Sequence, residues 1–123
     1  MFTNYGDRNF FEYGLLVEPV SDTEFRLLVC NPYSDSEDLY QFACICVDTT
    51  DSWIDKEKVN AYNGEPIEDP LQLAIAAYSY YGPEEFGAYS MSYDWQHMTR
   101  DQILEELKHY GVSASEDICL DAD

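Results

Sequence analysis

Positive charge is what this 123-residue sequence has least of: six Lys and Arg stand against 25 Asp and Glu, a formal net charge of −19. A chain of that sign repels the phosphates of DNA, RNA and anionic lipid, because nucleic-acid affinity comes largely from cationic side chains that displace counterions. The composition therefore predicts no direct nucleic-acid binding. Histidine is scarce too, with two residues, and no Gly-x-Ser-x-Gly elbow, glycine-rich phosphate loop or His-Glu-x-x-His run occurs. No enzyme class is indicated, and none is expected. Paired carboxylates add nothing to that, since among 25 acids some fall close together by chance. No apolar run reaches membrane-spanning length, and residues 1–8 lack the cationic start and unbroken apolar stretch of a secretory signal. The expectation is a cytoplasmic protein with no membrane partner.

Without a secretory signal, the four cysteines are expected as reduced thiols. Cys44 and Cys46 lie two apart in a strand-like run, so both point to one side and do not easily bridge each other. Together with Cys30, Cys119, His97 and His109 they match no zinc spacing, so core thiols and no metal or cofactor are expected. The oxygen-rich runs 35–38 and 48–51 lack the order and closing Glu of an EF-hand loop, which leaves at most weak, incidental calcium binding.

What is present is enough to fold. The chain is 46% hydrophobic and 15% aromatic, too apolar for a disordered acidic tail. Its length suits one domain, residues 1–123, burying roughly 65 to 70 per cent of the surface of the unfolded chain. Residues 69–82 carry their own start and stop: Asp69 as N-cap, Pro70 at the first helical position, Gly82 as terminator. Leu71, Ala74, Ile75, Tyr78 and Tyr81 form one stripe and Leu73, Ala77 and Tyr80 a second, which predicts a core helix buried on most sides.

Around it, 10–20 and 25–30 read as a hairpin turning at 21–24, and 31–38 as a solvated loop. Residues 39–47 form a central strand, with Tyr40, Phe42, Cys44 and Cys46 on one face and Ala43, Ile45 and Val47 on the other. A short helix within 53–62 has Asp55 as cap and Gly64 as stop; 82–87 is a connection, and 88–94 a fourth strand or extended arm. Thr99 and Gln102 make a capping box for a last helix with Ile103, Leu104 and Leu107 inward, ending at His109 and Gly111. The tail from about 112 has little to tie it down. The fold expected is α+β: a small antiparallel sheet of three to four strands packed against two to three helices.

The charge exceeds what solubility requires, about 2 to 8 for a small domain, and it opposes folding by self-repulsion. Residues 27–55 hold Asp35, Glu37, Asp38, Asp48, Asp51 and Asp55 with no base. Residues 59–99 hold Glu65, Glu68, Asp69, Glu84, Glu85 and Asp94, again with no base. Two base-free acidic surfaces are expected, suited to a strongly basic groove of another protein whose arginines and lysines otherwise hold phosphates. Tyr33, Tyr89, Tyr93 and Trp95 are expected to be exposed near acids, where arginine stacks on rings.

The small size, acidity and tyrosine content, with the segments 54–59 (Ile-Asp-Lys-Glu-Lys-Val) and 80–87 (Tyr-Tyr-Gly-Pro-Glu-Glu-Phe-Gly), give a chain that resembles small acidic proteins of bacterial conjugative elements and phages. Some of those are anti-restriction or anti-CRISPR proteins that imitate DNA. The resemblance spans about residues 52–87 and implies a defence nuclease, such as guide-loaded Cas9, as the basic partner. The expectation is a non-enzymatic DNA mimic. Two other classes fit the same charge: an immunity protein or antitoxin masking a basic toxin, and an accessory domain of a mobile-element protein.

Overall fold

The computed structural model describes residues 2–5, 9–90 and 96–112, and of 83–90 the backbone alone. Five strands form one antiparallel sheet in the order β1 (Thr3–Tyr5), β2 (Gly14–Pro19), β3 (Glu24–Pro32), β4 (Tyr40–Asp48), β5 (Gln96–Met98). Among the described residues three helices accompany it: α1 (Lys56–Asn63), α2 (Pro70–Ser90) and α3 (Arg100–His109). The α+β class matches expectation, with more strands than the three to four foreseen. The chain groups into two compact units: Met1–Glu18, Leu27–Cys44 and Asp94–Asp123 in the first, Pro19–Arg26 and Ile45–Tyr93 in the second. β3 and β4 each pass through both.

In the first unit Phe2, Phe10, Phe11, Leu16, Leu28, Cys30, Phe42, Ile103, Leu107 and Val112 form one buried cluster. Each fully buried large side chain is worth about 1.5–3 kcal/mol against exposure, so this cluster dominates the unit's stability. Residues 10–13 are a turn, where a strand was expected. Buried Asn9 accepts the Phe11 amide on Oδ1 at 2.7 Å, and the Gly14 amide donates to Phe10 O at 3.0 Å. Tyr13 takes φ 63°, and a Cβ on Gly14 would stand 2.0 Å from Phe10 Cα. Only glycine closes this turn and opens β2. β1 pairs with β2 (Thr3 opposite Val17) and β5 with β4 (Tyr40 opposite Met98). α3 has the foreseen box: the Gln102 amide donates to Thr99 Oγ1 at 3.3 Å and the Thr99 amide to Gln102 Oε1 at 2.9 Å. Val112, expected to begin a loose tail, is buried and donates to Leu107 O at 2.9 Å. The rest of that tail lies outside the described residues.

In the second unit the β2–β3 turn closes on Ser21, whose hydroxyl accepts the Glu24 amide at 3.1 Å. Buried Thr49 ties on by donating both its amide and its hydroxyl to Thr23 O, each at 2.9 Å. Asp55 caps α1 as expected, and Gly64 at φ 93° ends it. Asp69 Oδ1 accepts the Leu71 amide at 3.2 Å and caps α2. The buried face of α2 is narrower than predicted: Leu73, Ala74, Ile75 and Ala77 are buried, Leu71, Tyr78 and Tyr81 half-buried, and Tyr80 exposed.

Gly82 breaks the helix at φ 80°, ψ 170°, but Pro83 starts a new helical run to Ser90 in place of the connection 82–87. Proline fits the first turn of a helix because the donor it lacks is not needed there. The strand foreseen at 88–94 is therefore helical over 88–90, and its remainder lies outside the described residues. Among the described residues the last strand is Gln96–Met98.

Candidate functional site

Asp35, Glu37 and Asp38 sit together in the first unit on the loop joining β3 to β4, and all three are exposed. The loop is closed by its own bonds: the Tyr33 amide donates to Leu39 O at 3.1 Å and the Ser36 amide to Tyr33 O at 3.3 Å. Ser36 Oγ accepts the Asp38 amide at 3.4 Å. Three carboxylates are thus carried on a short, internally bonded turn. Tyr33, expected to be exposed, is half-buried and stacks on His97 of β5 with centroids 4.1 Å apart. The charge of Asp35, and then the hydrogen bond the phenol donates to it, keeps the Tyr33 hydroxyl protonated above the usual tyrosine range.

Beside this loop is a cavity of about 410 Å³. Phe11, Tyr33, Tyr40, Glu12, Glu37 and Arg100 are among the residues that line it. Phe11 and Tyr40 meet edge to face at 5.1 Å, and Arg100 Cζ lies 4.6 Å above the Phe11 ring. The elements that build it are the Asn9 turn, the ends of β3 and β4, and the first position of α3. Phe11, Glu12, Tyr40, His97 and Arg100 were not foreseen as site residues. The one sequence signal was the capping box, which puts Arg100 at the start of a helix but does not say what it faces.

The second unit holds Asp48, Asp51, Asp55, Glu65, Glu68 and Asp69, and three of these are spent locally. Asp48 Oδ1 accepts the Thr50 hydroxyl at 2.6 Å and amide at 2.9 Å, which holds its carboxyl below the usual aspartate range. Asp55 and Asp69 cap helices. Asp51 is exposed but lines a groove with Arg26, Glu24 and Asp48. Asp55 shares a hollow with Lys56, Lys58, Trp53 and Tyr81, where its amide donates to the Tyr81 hydroxyl at 2.8 Å. The α1–α2 connection differs. Exposed Glu65 and Glu68 line a groove with Asp69, Asn63 and Gln72, and among the described residues no Lys or Arg lines it.

The first base-free interval, residues 27–55, is thus not, in space, a surface free of bases. The first interval divides between the units, with Asp35, Glu37 and Asp38 in one and Asp48, Asp51 and Asp55 in the other. Folding also brings Arg100 to Glu37 and Arg26 to Asp48 and Asp51 as cavity and groove neighbours. Glu84, Glu85 and Tyr89 belong to α2 rather than to a loop or strand, and Tyr93, Asp94 and Trp95 lie outside the described residues. The expectation of core thiols holds for buried Cys30, while Cys44 is half-buried and Cys46 exposed. Among the described residues no three His, Cys, Asp or Glu converge on a metal position, and no helix is long and apolar enough to cross a membrane. Comparison with family models, with curated proteins and with solved structures finds no match.

Proposed function

We propose that this chain is a non-enzymatic inhibitor that occupies a basic nucleic-acid-binding surface of a defence nuclease, of the Cas9 or restriction type, by presenting carboxylates in place of phosphates. The observation that carries the reading is the closed turn holding Asp35, Glu37 and Asp38 in water beside a ring-walled cavity, in a chain of net charge −19. Carboxylates carried on a loop whose backbone is already closed need less ordering on binding. A field of this size speeds encounter with a basic groove, and it weakens once salt shortens the Debye length below about 8 Å. Glu65 and Glu68, exposed in a groove without a base, extend the same chemistry to the second unit. Asp48, Asp55 and Asp69 each give one carboxylate oxygen to a turn or cap, so they weigh less in the contact set.

The test is displacement of duplex DNA. Guide-loaded Cas9-type and restriction nucleases bound to labelled duplex are titrated with the chain in a mobility-shift assay at low and raised salt. DNA released at low salt and retained at high salt supports the reading. If every nuclease keeps its DNA at low salt, the reading fails.

A further inference from the structure

We propose that the cavity of the first unit is a seat for an arginine side chain of the basic partner, stacked against Tyr33 and Tyr40 and charge-matched by Glu12 and Glu37. This rests on the reading of the chain as a binder of basic surfaces and names the group it takes.

The size comes first. At about 410 Å³ the cavity lies toward the small end of ligand pockets, which run from roughly 300 to 1,000 Å³. That volume admits one long side chain together with some of its hydration water. The walls then select its chemistry. Aromatic residues beside acidic ones favour a planar cation, since a guanidinium both stacks on rings and forms paired hydrogen bonds to a carboxylate. Lysine offers a point charge with no plane to stack.

The protein already shows this recognition internally, because Arg100 lies 4.6 Å above Phe11, inside the cation–π range of about 6 Å. Two carboxylates against that one guanidinium leave the lining negative, and Asp35 and Asp38 add to it from the same loop. An anionic guest is therefore disfavoured. The seat is also fixed before binding. Tyr33 is held by His97, Tyr40 by Phe11 and by its place opposite Met98, and the loop by its own hydrogen bonds. The two rings and the loop backbone therefore have little freedom left to lose when the guest enters, while the Glu12 and Glu37 side chains order with it.

The test is calorimetric titration of the full chain, at roughly 0.15 M salt and again at higher salt, with two short peptides of equal charge, one arginine-rich and one lysine-rich. The seat predicts about tenfold tighter binding of the arginine peptide. E12Q/E37Q, both at exposed positions, brings that ratio to about one, whereas D22N/E57Q, an equal loss of charge at exposed positions outside the cavity, leaves it unchanged. Acetyl-arginine amide added to the labelled chain should shift the NMR signals of Tyr33 and Tyr40. Equal affinity for the two peptides, with shifts elsewhere, overturns the seat while salt-sensitive binding of both keeps the charge-based reading. Absence of salt-sensitive binding by either peptide overturns that reading, and the seat with it.

Discussion

Tyr33 lies stacked on His97, ring centroids 4.1 Å apart and planes 28° apart, while its hydroxyl donates to the Asp35 carboxylate. One ring thus joins the end of β3, the acidic loop and β5. The neighbouring negative charge disfavours the phenolate, so Tyr33 loses its proton above the ordinary tyrosine range. Asp35→Asn removes that charge and should bring the titration back down toward the ordinary value, of about 10. Ring-proton NMR across the alkaline range reads it. An unchanged Tyr33 titration in the variant would show that Asp35 is not the cause.

The acids separate into two groups by stability. Asp55→Ala and Asp69→Ala each remove a helix cap, and each should cost about 1 kcal/mol in urea denaturation. Glu37→Gln and Glu65→Gln change exposed carboxylates and should stay within about 0.5 kcal/mol of the parent. A large loss at Glu37 would mean that its charge serves the fold.

Gly14→Ala should be the most damaging small substitution in the first unit. Its Cβ would stand 2.0 Å from the Phe10 backbone, which forces open the turn that buries Phe10 and Phe11. A loss of about 4 kcal/mol or more, or failure to fold, is expected. Gly64→Ala meets open space at φ 93° and should cost only about 1–2 kcal/mol. Thermal unfolding of the two variants side by side ranks them.

Cysteine reactivity should follow burial. Burial pushes the Cys30 thiol up to about 12, so it stays protonated and inert near neutral pH, whereas Cys46 is exposed. With Cys119 replaced by serine, iodoacetamide should label Cys46 first and Cys30 only after denaturation, as peptide mass spectrometry will show.

Features written into neighbouring residues were legible in the sequence. The caps at Asp55, Asp69 and Thr99, the stop at Gly64 and the inward faces of β4 and α3 each depend on a few adjacent positions. What escaped depends on distant partners. β1 and β5 are three residues each and exist through their registers with β2 and β4. Gly82-Pro83 reads as a full stop, yet the same pair restarts a helix, because proline is as suitable at a helix start as after its end. The site shows the same division. The acids of the 35–38 loop were visible as a run, while the cavity beside them needed Phe11, Tyr40 and Arg100 from three distant segments. The first base-free interval misled because Arg26 and Arg100 reach its acids only through the fold.

The most direct measurement is affinity capture of nucleic-acid-binding proteins on the immobilised chain and on D35K/E37K/D38K in parallel, followed by elution with duplex DNA. The account predicts that the parent retains a basic nuclease that duplex DNA releases, and that the charge-reversed loop retains at least about tenfold less, a difference of roughly 1.4 kcal/mol. Equal retention by both chains, or a captured protein that DNA does not release, would contradict it.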